Sequence, residues 1–208
     1  MLAGLGRAVL ALFVLSGCSS TDTGAAVSAT TPLPHHGWHG TTLAEPYAKP
    51  DITLTDTTGR DFDFATDARR PVVLVLFGYT HCPWVCTRVL GDLATALHPL
   101  DPGTRRKIQV LFVSVDPDRD TPQRLGAWLS RFDPTFTGLV APLPVVRSLG
   151  QDLGVPVTGP TGSGPDYTVG HGAQIVGFGP DGAAHIIWMP GTPATGLRAD
   201  VVRLASSS

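Results

Sequence analysis

Two apolar runs separated by one amphipathic period constrain this chain more than any other feature. Residues 72–77 (Val-Val-Leu-Val-Leu-Phe) and residues 108–115 are almost wholly apolar, the pattern of a strand buried on both faces. Between them Val85, Val89, Leu93 and Leu97 recur every four residues, the stripe of a helix predicted to run from Pro83 to about Leu97. Strand, crossover helix and strand make a β-α-β unit with parallel strands. The loops that follow the two runs therefore leave at one carboxyl edge of the sheet, where open α/β sheets place their sites.

The remaining pattern extends that unit. Short strands are predicted over 52–55 and 61–64 around the turn Thr57-Thr58-Gly59. Thr121 and Pro122 have N-cap and N1 chemistry. They open a helix with Leu125, Trp128, Leu129 and Phe132 at core spacing, and a further helix is predicted over 143–153. Strands over 174–178 and 184–188 flank Gly179-Pro180-Asp181-Gly182 as a second hairpin. Thr192-Pro193 repeats the cap pattern before a last helix carrying Leu197, Val201 and Leu204. The order predicts an α/β, thioredoxin-like fold: a central mixed β-sheet flanked by helices, with an added N-terminal β-hairpin. No internal repeat is evident, and a net charge of −2 gives no case for nucleic acid.

The loop after the first run reads Phe77-Gly78-Tyr79-Thr80-His81-Cys82-Pro83-Trp84-Val85-Cys86. Two cysteines four apart near a helix start return to nearly one face. They can hold one metal ion or, with local distortion, close a disulfide. A helix N-terminus favours the thiolate, which binds metals and attacks disulfides. So short a loop constrains the unfolded chain little, which makes the pair a poor staple and suits reversible chemistry. In thioredoxin topology the next strand runs antiparallel and begins at the same edge. His171 lies just ahead of it, in Val169-Gly170-His171-Gly172. On position alone it reads as a structural residue or as a third ligand. Two thiolates and one imidazole would suit Cu(I), whereas zinc normally wants a fourth donor.

The N-terminus carries its own signals. Residues 1–14 are short and apolar with Arg7 as the one side-chain charge, and Leu15-Ser16-Gly17-Cys18 follows. This is the layout of a bacterial secretory signal, too short for a comfortable membrane span. The ending resembles the lipobox of bacterial lipoproteins, which implies lipidation at Cys18 as the mature N-terminus. Three segments result: a lipoprotein signal peptide over 1–17, a flexible tether over 18–37 and a folded domain over 38–208. The expected location is the extracytoplasmic side of the cell membrane, held by the lipid. With Cys18 accounted for, Cys82 and Cys86 stand as an isolated pair in an oxidising setting. His35, His36 and His39 could gather a metal, but read first as a polar loop at the domain boundary.

From about Lys49 to Leu204 the sequence resembles the Sco/SenC family, thioredoxin-like copper proteins associated with cytochrome c oxidase assembly. The carriers are the stretch from Phe77 to Pro83 with Cys86, then Ser114-Val115-Asp116-Pro117-Asp118-Arg119-Asp120-Thr121-Pro122, and Tyr167-Thr168-Val169 before His171. The resemblance implies copper held by Cys82, Cys86 and His171, as Cu(I) with Cu(II) as a second state. It also implies a partner: the copper-binding subunit of cytochrome c oxidase, or another copper chaperone. Two positions depart from the family. Trp84 and Gly170 stand where acidic residues are usual, which removes negative charge near the metal. Asp116 reads as a residue that hydrogen-bonds the site region or tunes the thiols, and Asp120 as a helix cap or a partner for Arg119. His81 is a competing donor, while His98 and His185 read as surface or structural residues.

Two functions from different classes fit. One is a copper metallochaperone. The other is a membrane-anchored thiol–disulfide oxidoreductase, with Cys82 and Cys86 as its redox-active pair, acting on the oxidase or another exported apo-protein. The three-residue spacer and the histidine, where thioredoxin-type enzymes carry a proline, favour metal binding. A peroxidase reading lacks its Thr-x-x-Cys pattern, because residue 79 is Tyr. A non-catalytic copper sensor stays open.

Overall fold

Val72–Gly78 (β4) is buried along its whole length and pairs in parallel with Ile108–Ser114 (β5). The register runs from Val72 opposite Ile108 to Gly78 opposite Ser114, so both strands end level. This is a computed structural model, and it describes residues 37–207. Cys18, His35, His36, the signal segment and the tether up to residue 36 lie outside the described residues.

Alternation along β4 divides the core into two layers. Val73, Val75 and Phe77 face one cluster with Leu111, Val113, Val176 and Phe178. Val72, Leu74 and Leu76 face the other, with Leu90, Leu93 and Leu97 of Val85–Leu97 (α2) and Leu197 and Val201 of Ala194–Ser206 (α6). On that second face lies Pro122–Leu129 (α4), through Leu125 and Leu129. Leu143–Asp152 (α5) covers the first through Val146 and Leu149.

Eight strands form the sheet. In order they are Thr41–Tyr47 (β1), Ala184–Trp188 (β10), Ile175–Phe178 (β9), β4, β5, Thr137–Val140 (β6), Thr53–Asp56 (β2) and Asp61–Asp63 (β3). β6 continues the parallel pairing, whereas β9, β10, β1, β2 and β3 pair antiparallel with their neighbours. A separate two-stranded sheet joins Val157–Thr161 (β7) to Thr168–His171 (β8). Single turns of helix at Phe64–Asp67 (α1) and Pro102–Arg106 (α3) and a 3-10 turn at Gly164–Asp166 complete the elements of the described residues. No helix among the described residues is long and apolar enough to cross a membrane.

The mixed α/β architecture, the N-terminal hairpin of β2 and β3 and the cap at Thr121 agree with the sequence. Thr121 accepts a hydrogen bond from the Arg124 N–H, with Pro122 at N1. Other expectations are corrected. α2 starts at Val85, two residues after Pro83. Phe132 lies beyond the end of α4. Thr192 does not cap α6: its hydroxyl donates to the Met189 carbonyl, and Pro193 occupies the cap position. His171 does not directly precede β9 but ends β8, with three residues between.

Candidate metal centre

The level ends of β4 and β5 send two loops out side by side. Val115 N–H donates to the Gly78 carbonyl at 2.8 Å and extends the ladder one residue into them. In the first loop Cys82 N–H donates to the Tyr79 carbonyl at 3.1 Å, a tight turn that brings the sulfur back over the start of α2. Trp84, at the cap position, offers no side-chain acceptor. The sulfur of Cys82 takes that role and accepts the Cys86 N–H at 3.4 Å. The later helix start is therefore functional: it frees one of the unpaired first-turn N–H groups to bind a sulfur, and the positive helix end supports its thiolate. Gly78 is required beneath. A Cβ there would lie 2.6 Å from Phe112 and 2.8 Å from the Cys86 sulfur.

Both cysteines are free, and both are buried, 8% and 4% exposed. His171 completes the cluster. The donor atoms of Cys82, Cys86 and His171 all lie within 4.8 Å of one another. His171 Nε2 is 3.5 Å from Cys86 Sγ. Its Nδ1 is 2.9 Å from the Gly172 carbonyl, which can only accept, so Nδ1 donates and Nε2 is the nitrogen turned toward the sulfurs. The Tyr79 ring meets the imidazole edge-on, centroids 5.8 Å apart. This donor set fits a soft, low-coordinate cation: two sulfurs and one oriented nitrogen, with no carboxylate among them.

The two thiols differ in acidity. A hydrogen bond from the Cys86 thiol, with further help from His171 and the Cys86 N–H, outweighs burial and lowers Cys82 to about 4. The same bond, together with burial, pushes the Cys86 thiol up. The pair therefore holds one proton between its sulfurs. Tyr79 is raised, chiefly by burial, against the lowering effect of the bond it accepts from Val169 N–H.

The acidic loop does not donate to this cluster. Asp120 neither caps α4 nor pairs with Arg119. Its carboxylate accepts from Thr80 N–H at 3.0 Å, from the Thr80 hydroxyl and from the Ser114 hydroxyl at 2.7 Å, pinning the cysteine loop to the end of β5. Asp116 instead pairs with Arg119 and accepts from the Tyr167 hydroxyl at 2.6 Å. That bond, with burial, pushes the Tyr167 phenol up to about 12. His81 turns away, accepting from Arg124 at 3.0 Å through Nε2. His98 faces Asp133, His185 pairs with Asp181, and His39 sits on the buried Asp200. Trp84 is 67% exposed beside the pair. Gly170 has a packing reason, since a Cβ there would lie 2.4 Å from the Thr158 hydroxyl. Sequence reasoning missed the roles of Tyr79, Arg119 and Tyr167, although all three stand inside the motifs.

Comparison with known proteins gives a consistent picture. The family model described as SCO1/SenC matches residues 41–206. A protein of Stutzerimonas stutzeri named for copper binding is 33% identical over 136 residues, 65% of this chain and 66% of its own length. The matched segment spans about half, or less, of the mitochondrial SCO relatives. Among solved structures, apo Sco1 from Thermus thermophilus superposes with a TM-score of 0.70 at 30% identity, covering 82% of this chain and 97% of that one. Copper-bound ScoI of Bradyrhizobium japonicum gives 0.66 at 28% identity, covering 76% and 99%.

Proposed function

The chain belongs to the SCO1/SenC family, and from that premise we propose that it is a copper metallochaperone carrying one Cu(I) ion on Cys82, Cys86 and His171. The observation that carries this reading is the convergence of two thiols and one imidazole nitrogen at a single point. The copper-binding name of the Stutzerimonas relative and the copper in the Bradyrhizobium structure support it.

Copper is cargo here. Cys82 receives it as a thiolate, and the proton shared with Cys86 leaves as the second sulfur bonds. His171 adds Nε2, which the Nδ1 bond to Gly172 already turns toward the sulfurs. Three donors leave the ion open to an incoming ligand, so transfer proceeds by stepwise ligand exchange. The acceptor is the copper-binding subunit of a cytochrome c oxidase or another copper chaperone. Lipidation of Cys18 would hold the domain at the extracytoplasmic face of the membrane within reach of that acceptor. Cys18→Ala should move the protein to the soluble or unprocessed pool, and membrane retention of the cleaved variant would overturn the anchor.

Titrating the reduced full chain with Cu(I) against a competing chelator should give one equivalent per chain. X-ray absorption should show two sulfurs and one nitrogen, and a shell of nitrogen and oxygen alone would overturn the assignment. A second reading, thiol–disulfide oxidoreductase, is favoured by the lowered pKa of Cys82. Its thiolate would attack a partner's disulfide, and Cys86 would then resolve the mixed disulfide. The pair ends oxidised, the partner carries two thiols, and an external thiol donor resets the pair. In a deletion strain, rescue of oxidase activity by added copper supports the chaperone, and better rescue by reductant supports the oxidoreductase.

A further inference from the structure

The hairpin that carries His171 lies outside the main sheet. β8 pairs only with β7, and no ladder joins either strand to β4 or β5. Buried Val155 and Val169 pack it against the core, but apolar burial is non-directional and sets no orientation for an imidazole. The Gly172 carbonyl orients the ring within the hairpin, and something else must orient the hairpin.

Most of the directional contacts between the hairpin and the loops at the sheet edge come from one side chain, and Tyr79 supplies another. Arg119 Nη1 donates to the Pro165 carbonyl at 2.8 Å, and Nη2 to the Tyr167 carbonyl at 3.0 Å. Its Nε–H donates to Asp116, itself only 2% exposed, and its guanidinium lies 3.6 Å from the centroid of the Tyr167 ring. Tyr167 closes the loop by donating its hydroxyl to the other oxygen of Asp116. The same guanidinium stands 5.7 Å from the centroid of the Tyr79 ring. Tyr79 accepts the Val169 N–H at 3.4 Å and meets His171 edge-on. The cysteine loop, the acidic loop and the approach to β8 thus converge on a single planar cation.

We infer that Arg119 is a positioning residue for the copper site: its guanidinium fork latches the His171 hairpin to the end of β5, so that the imidazole reaches the thiols only while the latch is closed. The inference rests on the copper reading of the site. Arg119 touches none of the three donors and acts on the thiols' affinity through His171 alone.

Arg119→Lys tests this while leaving a cation beside Asp116, because an ammonium cannot hold both carbonyls in a planar fork. In the full chain, Arg119→Lys should lower Cu(I) affinity by about 10–100-fold, the range for a residue that orients a ligand. X-ray absorption should lose the nitrogen and keep both sulfurs. Combined with His171→Ala it should cause no further loss, because both remove the same donor. An unchanged two-sulfur, one-nitrogen shell, or an additive loss in the double variant, would overturn the latch. Amide exchange on the metal-free protein decides it independently of copper. Arg119→Lys should speed exchange over residues 157–171 and leave β4 and β5 protected, whereas equal protection of the hairpin would overturn the inference. Failure of the native chain to bind Cu(I) would sink the functional reading and leave this exchange result to judge the latch.

Discussion

The sulfur half and the nitrogen half of the site are built in opposite ways. Cys82 and Cys86 sit four residues apart, at the end of a strand buried on both faces and at the start of a helix packed on it. Their separation is local, and the eight-stranded sheet holds it. His171 stands 85 residues from Cys86, on a two-stranded hairpin that side chains hold in place. Donors placed by short-range geometry are robust and poorly tunable. A donor delivered by a side-chain latch can come and go, which suits cargo that must be both held and released.

The largest effect should come from the sulfur half. Cys82→Ala or Cys86→Ala should cost more than about a hundredfold in Cu(I) affinity, exceeding the range of an orienting residue. Chelator competition measures this. A cysteine variant that binds as tightly as His171→Ala would erase the asymmetry between the halves.

Removing the nitrogen should leave a working but weaker two-sulfur site. His171→Ala is expected to lose about 10–100-fold and to retain one Cu(I) with sulfur-only scattering. Complete loss of copper would show that the imidazole, and not the thiol pair, is the foundation.

Gly78→Ala probes the floor of the sulfur half. The new methyl would press on Phe112 and Cys86 Sγ, costing about 1–3 kcal/mol as overpacking, read from chemical denaturation. The matching change at Gly170 meets the rotatable hydroxyl of Thr158 on the hairpin instead, so it should cost less. Equal costs would mean that the two halves are equally rigid.

The smallest effect is a flat line. Cys82 lowered to about 4 is a thiolate across the neutral range, so its alkylation rate in the metal-free protein should hardly change between about pH 6 and 8, falling only as acid approaches 4. An unperturbed thiol, near 8.5, would instead gain about tenfold per unit over that range. The sign of the stability term follows. A group whose folded value is depressed stabilises the fold fully above its unfolded value, and that contribution is lost as pH falls toward 4. A rate rising through neutrality would assign the proton to Cys82 and the anion elsewhere.

Legibility differed between the halves for physical reasons. β4 and β5 were readable because strands buried on both faces leave continuous apolar runs, and their parallel pairing put both loops at one edge. The start of α2 was misplaced because proline is tolerated at N1 and also just ahead of a helix, and a sulfur acting as the cap leaves no sequence mark. β1 escaped notice as an irregular edge strand containing Pro46, half exposed along its length. β7 and β8 were hidden by Gly159, Pro160, Gly162, Gly164 and Pro165, which read as loop. Asp120 was misassigned because neighbours in sequence, Thr121 and Arg119, offered partners, while its actual ones, Thr80 and Ser114, meet it only across the sheet edge.

By itself the sequence determined which atoms could meet a metal. Residue types and four-residue spacing define the sulfur pair, and chain topology brings His171 to the same edge, because periodicity and strand direction are local properties written in consecutive residues. Only the tertiary structure decided how they meet: that Cys82 caps α2, that the Gly172 carbonyl turns the His171 Nε2 inward, and that Arg119 holds the hairpin in place. The first two bonds are local, four residues and one residue apart, and the third joins residues 46 and 48 apart, but the direction of each follows from packing and not from residue type.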